Sequence, residues 1–246
     1  MSRTGGGLAI AGLAIKQNFK NPIMVGLLVG APVVLVFILA EATRNLFPAG
    51  RAFQPFVANI LTQVAAFAAF VGLWGVEKNR RHATMARLRV APIGPVGFLA
   101  GTAAGGFSTL WVFLALTGGA MVVLFQVPIE GSVWAALAVL GGAAAFSTAL
   151  GTTVGMLIAD QQARIGIMNV LAPALIALGG GYFPMPESGP LACVSLVSPY
   201  RWMNRSLAGH LGIGEPANDL VVVLVEVGAA VALLALAWTK ARRIWK

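Results

Sequence analysis

The chain has 246 residues, of which 58% are hydrophobic and 10% charged, and its mean hydropathy is +0.84. Soluble domains carry roughly a quarter charged residues, and a soluble fold of this composition would expose large apolar patches, so the composition excludes an ordinary soluble domain and calls for lipid as solvent. The net charge of +9 would suggest nucleic acid in a soluble protein; here it matches the basic excess of cytoplasmic loops, and no nucleic-acid partner is expected.

In chain order, Leu8 to Phe19 is short for a crossing and carries Lys16, Gln17 and Lys20 near its end. It reads as a helix at the inner interface, over about residues 8–20, the alternative being an unstructured leader. Six spans are expected: Pro22 to Ala40, Phe53 to Val76, Val96 to Val127, Ser132 to Ala159, a fifth from about Ile165 to a break at Gly179-Gly180-Gly181, and Leu220 to Thr239. A basic inner loop, about 77–95, follows the second span. An outer segment, about 182–214, is rich in Pro, Gly and aromatics, and its Leu191 to Val197 stretch is expected to re-enter under cover of other helices. The fold class is therefore all-α integral membrane, one domain over residues 1–246, with six spans, an N-terminal interfacial helix and a re-entrant outer segment.

Thirteen of the seventeen basic residues fall on one side of this topology: Arg3, Lys16, Lys20, Lys78, Arg80, Arg81, Arg87, Arg89, Arg164, Lys240, Arg242, Arg243 and Lys246. Arg44, Arg51, Arg201 and Arg205 fall on the other. The positive-inside rule then sets both termini in the cytoplasm.

Enzyme chemistry is hard to assemble. His82 and His210 lie on opposite sides in this topology, and neither H-E-x-x-H nor G-x-S-x-G occurs. Cys193, the single cysteine, reads as a buried structural residue. No G-x-x-x-x-G-K-[ST] is present, so no Walker-type loop cradles ATP here. No catalytic residue, metal or cofactor is expected in this chain.

Polar groups within spans are costly and informative. Asn59, Thr62 and Gln63 share a face of the second span by the i, i+3, i+4 rule, continued by Phe67, Phe70 and Trp74. Asn169 and Pro173 sit in the fifth, and Glu226 in the sixth. Each reads either as an interhelical hydrogen bond or as a substrate-facing wall. Gly26 and Gly30, Gly101 and Gly105, and Gly151 and Gly155 stand at helix-packing spacing, for contacts within the chain or between subunits.

Two segments carry a family pattern. Glu77-Lys78, Thr84, Arg87-Leu88 and Pro92 resemble the E-[KR]-E-x-G-T-x-x-R-L-x-x-x-P loop of type-2 permeases of ATP-binding-cassette exporters, although Ala83 stands where the family usually has glycine and Arg81 where it usually has an acid. Asn169 to Pro173, leading to Gly179-Gly180-Gly181-Tyr182-Phe183-Pro184, is similar to the family's asparagine and G-G-x-F-F-P segment. The resemblance spans nearly the whole chain. It implies the membrane subunit of an exporter in a bacterial inner membrane, paired with a second permease subunit, identical or homologous. ATP and Mg would be held by separate cytoplasmic P-loop ATPases. It further implies a coupling loop made of Glu77, Lys78, Arg80, Arg81, Thr84, Arg87, Leu88, Arg89 and Pro92, with its helix over Thr84 to Val90. A substrate path would be lined by Asn59, Gln63, Phe67, Asn169 and Pro173, and an outer gate formed by Gly179 to Pro184. The alternatives are a non-transporting membrane assembly protein and an ion-coupled carrier using Glu226.

Overall fold

The computed structural model describes residues 3–46, 53–81, 94–183, 185–186, 188–215 and 217–244. Among them the ordered elements are helices, without a strand. The helix starts follow from local chemistry. After α1 (Arg3–Phe19), the Asn21 side chain accepts from Ile23 N at 3.1 Å and Pro22 opens α2 (Pro22–Ala42), its fixed φ already helical. Proline also stands in the first turn of α3 (Gln54–Phe67), which continues through Ala68 into α4 (Ala69–Arg81). The next helix, α5 (Pro95–Phe125), stops where Gln126 turns left-handed at φ 50°. Ser132 caps α6 (Val133–Leu157) through Ala135 N at 3.3 Å. Asp160 caps α7 (Gln161–Leu178) through Ala163 N at 2.7 Å, placing an anion at the positive end of the helix dipole. Two short helices, α8 (Pro190–Ser195) and α9 (Pro199–His210), lead to α10 (Asp219–Ile244).

Five segments are long and apolar enough to cross a membrane: Pro22–Ala42, Gln54–Lys78, Pro95–Phe125, Val133–Leu157 and Asp219–Arg243. They coincide with five of the expected spans. The remaining expected span, α7, has 18 residues and begins with Gln161, Gln162 and Arg164, and it is not among these five.

Helix α6 forms the centre, packed against α10, α4, α5 and α9. A Cβ on Gly151 would lie 1.8 Å from Ala69 O, and one on Gly72 would lie 2.4 Å from Thr148 O. The backbones of α4 and α6 therefore touch directly, as small residues allow. Among the hydroxyls buried in α6, Ser147 Oγ donates to Ala143 O at 2.7 Å, and Thr153 Oγ1 lies 2.7 Å from Ala149 O and 2.9 Å from Leu233 O of α10, whereas Thr148 and Thr152 have no hydrogen-bond partner among the described residues. Outer faces of α2, α5 and α10 present Ile23, Leu27, Val34, Leu116, Val123, Leu224 and Val231, an apolar girdle of the kind a bilayer covers.

The N-terminal helix differs in attitude from a helix lying across the bundle. A Cβ on Gly101 would lie 2.5 Å from Gly7 O, and one on Gly105 would lie 2.8 Å from Ala14 Cβ. Asn18 Nδ2 donates to Thr109 Oγ1 at 3.4 Å, and the Phe19 and Phe113 rings are 4.9 Å apart. The contacts advance in step along both helices, so α1 runs beside α5 in the same direction. Small residues on both faces permit this approach. Farther along, Thr117 Oγ1 lies 2.7 Å from both Leu28 O and Phe113 O, and α2 continues the same course. Of the three glycine pairs, Gly101–Gly105 and Gly151–Gly155 are thus spent on contacts within the chain, whereas a Cβ on Gly26 or Gly30 would meet nothing within 4 Å.

The two ends of the bundle differ in chemistry. At one end Val76, Phe98, Met156, Ala237 and Ala241 form an apolar cluster with Ile10 packed against it. The basic residues Lys78, Arg164, Lys240, Arg242 and Arg243 belong to helix turns at that end. At the opposite end the turn between α5 and α6 meets the end of α9, where Glu130 N donates to His210 O at 2.9 Å. Glu130 and Asp219 stand there.

Candidate functional site

Two constellations of polar side chains connect the ends of α7 to the α3–α4 rod. The first joins α4 to α7 at the basic end. Arg164, within the first turn of α7, is buried and forms an ion pair with Glu77 near the end of α4; its Nη1 also donates to Ile158 O at 3.3 Å. The sequence alone places Arg164 in a loop before the helix, which it expects from about Ile165. The Asp160 cap starts α7 earlier, and the guanidinium turns inward onto Glu77. Lys78 is exposed, and Arg80 and Arg81 belong to the last turn of α4. Thr84, Arg87, Leu88, Arg89 and Pro92 lie outside the described residues.

The second constellation lies near the other end of α7. Gln63 Nε2 of α3 donates to Gly181 O at 2.8 Å. Asn204 of α9 donates through Nδ2 to Asn59 Oδ1 at 3.0 Å and to Thr62 Oγ1 at 3.1 Å, while Thr62 Oγ1 donates to Ala58 O at 2.9 Å. Each amide and hydroxyl here has a partner, which buried polar groups require. The expected polar face of α3 is therefore joined to the expected gate. Gly180 adopts φ 79°, a conformation glycine enters without steric cost, and Gly181 N donates to Ile176 O at 3.0 Å. This turn ends α7 and directs Gly181 O toward Gln63.

The rest of the expected path is arranged differently. Phe67 is 42% exposed and Trp74 40%. Asn169 also faces outward, and Pro173 is half-buried within α7. Tyr182 and Phe183 are exposed, and Pro184 lies outside the described residues. The stripe on α3 and α4 is consequently divided: α9 and the glycine turn cover its polar end, while its aromatic end opens onto the molecular surface.

In the segment 182–214, α9 supplies the buried part. Tyr200, Met203, Ser206 and Leu207 pack inward, and Tyr200 OH lies 2.9 Å from Ser147 Oγ. Ser147 Oγ also donates to Ala143 O, and Tyr200 OH lies 3.5 Å from Ala65 O of α3. The short helix α8 departs from the covered turn that its apolar sequence suggested. Ala192 and Ser195 face inward, but Leu191, Val194, Leu196 and Val197 are exposed. Cys193 is exposed as well, not a buried core residue, because a one-and-a-half-turn helix buries only its Ala192–Ser195 face.

Glu226 of α10 is fully buried, and neither carboxyl oxygen has a hydrogen-bond partner among the described residues. A Cβ on Gly142 of α6 would lie 2.1 Å from Glu226 Oε2, so the glycine makes the room that the carboxyl occupies. Among the described residues no group of three or more His, Cys, Asp or Glu side chains is arranged to hold a metal ion.

Sequence reasoning singled out Asn59, Thr62, Gln63 and the glycine turn without showing that they meet. It missed Asn204, which is 145 positions from Asn59. The available signal was the amphipathic pattern of residues 199–210, with Tyr200, Met203 and Leu207 at helical spacing. No family model matches this chain, and no curated protein matches it.

Proposed function

We propose that this chain is the transmembrane subunit of an ATP-driven exporter, crossing a bacterial inner membrane six times with both termini in the cytoplasm. A separate cytoplasmic ATPase drives it through the basic loop after α4, and a second permease subunit completes the substrate path. The observation that carries this reading is the double attachment of α7. The Arg164–Glu77 pair ties its first turn to the root of the basic loop, and Gln63 holds the glycine turn at its far end. A push on the loop would reach α7 through a buried ion pair and leave it at a hydrogen bond beside the polar cluster. Such coupling needs discrete packings that ATP binding favours unequally. The open stripe of Phe67, Trp74 and Asn169 supports the subunit pairing, because a path exposed on one side of a single chain is closed by a partner.

Tagged protein, solubilised gently, is expected to retain a stoichiometric P-loop ATPase. Reversing the charge at Arg81 and Arg87 is expected to abolish stimulation of that ATPase by the permease while leaving the permease in the membrane. Recovery of the chain without any ATPase under conditions that preserve its fold sinks the proposal.

The buried Glu226 favours a second reading, an ion-coupled carrier that uses this carboxyl. That reading requires Glu226→Gln to stop transport while leaving the fold intact. Under the exporter reading, Glu226→Gln retains ATP-dependent transport.

A further inference from the structure

Two adjoining spaces at the Glu130 end of the bundle remain unused by the exporter reading. The first is an apolar cavity of about 180 Å³ between α3, α5, α6 and α9, lined by residues including Val57, Leu61, Val122, Leu137, Leu140 and Leu207. It is open on one side, where Val123 and Val133 are exposed, and its lining is almost wholly apolar, which suits a hydrocarbon chain. Gly119 stands on its exposed rim, where an added Cβ would meet nothing within 4 Å. The second is a polar cleft flanked by Glu130, Ser206, His210 and Asp219. His210 lines both spaces.

The cleft is acidic in a chain that is otherwise strongly basic. Among the described residues its lining contains two carboxylates and no lysine or arginine. Asp219 Oδ1 is 2.6 Å from Ser206 Oγ and 3.2 Å from His210 Nε2, which leaves Oδ2 without a hydrogen bond among the described residues. Glu130 lies over Gly212, where an added Cβ would come within 2.4 Å of its carboxyl carbon. The backbone fixes the arrangement, since Glu130 N and Gly131 N both donate to His210 O, at 2.9 and 3.2 Å. Whatever charge His210 carries, the two carboxylates outnumber it.

We propose that the two spaces form one binding site for a single-chain amphiphile with a cationic head. The hydrocarbon tail enters the cavity past Gly119, and the ammonium head rests between Glu130 and Asp219. An apolar pocket with a few converging polar groups at its mouth is the usual form of a small-molecule site, and charge complementarity selects the sign of the head. Binding requires neither ATP nor a partner, so this site stands or falls apart from the exporter reading.

The test is equilibrium binding of radiolabelled dodecyltrimethylammonium to the full chain in phosphatidylcholine nanodiscs, with empty nanodiscs subtracted. Saturable binding of one molecule per chain is expected, displaced by unlabelled probe and not by dodecyl sulfate or by tailless tetramethylammonium. Gly119→Leu obstructs the rim and is expected to abolish binding, whereas Gly119→Ala retains it. Glu130→Gln, on an exposed turn, is expected to weaken binding about tenfold, the loss of one charge-assisted contact. The proposal is overturned by the absence of a saturable component or by equal competition from dodecyl sulfate. Binding that survives both Gly119→Leu and Glu130→Gln overturns it too.

Discussion

Arg164 illustrates how much one side chain can decide in this molecule. Its guanidinium is buried at the start of α7, and the anion facing it is Glu77. A buried cation stripped of its partner is costly, about 3–5 kcal/mol where such pairs are broken from one side. Glu77→Ala is therefore expected to lower the thermal stability of the purified chain by an amount in that range. Glu77→Gln, which keeps a hydrogen-bond acceptor near the guanidinium, is expected to cost less; equal stability of both variants and the parent would show that the pair contributes nothing. Gln63 is a milder case. Its amide holds Gly181 O at 2.8 Å, and a neutral hydrogen bond of this kind contributes about 1 kcal/mol. Gln63→Leu is expected to reduce stability by about that much and, if the chain is the proposed exporter subunit, to change its transport more strongly, because it frees the turn at the end of α7. Glu77 and Gln63 were visible as polar positions in an apolar chain. Their partners were not, since neither Arg164 nor Gly181 stands near its counterpart in sequence.

At the scale of whole helices, small residues set which surfaces meet. Gly151 admits Ala69 O to within 1.8 Å of where a Cβ would stand, and the obstructing atom is backbone, which cannot swing aside. Gly151→Ala is expected to force α4 and α6 apart and to cost about 1–3 kcal/mol, the usual range for overpacking. Gly26→Ala meets no atom within 4 Å and replaces a poor helix former with the best one, so a stability equal to or slightly above the parent is expected. Thermal denaturation of both variants in one detergent checks the contrast, and an equal loss in the two would remove the packing distinction. The spacing of glycines four apart was plain in the sequence, and it gave the same signal for Gly26–Gly30 as for Gly151–Gly155. Only the contacts separate a pair used inside the chain from one that faces outward. The same applies to α1, whose length and basic end suggested a helix lying flat. The glycine and alanine contacts that draw it alongside α5 depend on a helix roughly ninety positions away.

For the whole molecule, the two ends of the bundle are expected to lie on opposite sides of the membrane. Lys78→Cys and Glu130→Cys, each in a Cys193→Ala background, are expected to react with a membrane-impermeant maleimide from opposite faces of intact cells and inverted vesicles. The native Cys193, exposed on α8, is expected to label from the Glu130 side. Labelling of both positions from one face would refute the topology. The sequence by itself determined the helical class, the approximate limits of the five long apolar helices and the gathering of most basic residues at one end, because these depend on composition and on runs of neighbouring residues. Only the tertiary structure decided that Glu77 meets Arg164, that Asn204 completes the Asn59–Thr62 cluster, that α8 leaves its apolar side uncovered and that His210 joins an apolar cavity to an acidic cleft. Hydrophobic runs are local and lipid reads them one helix at a time, whereas partners and cavities arise from how separate helices stack, which no stretch of neighbouring residues contains.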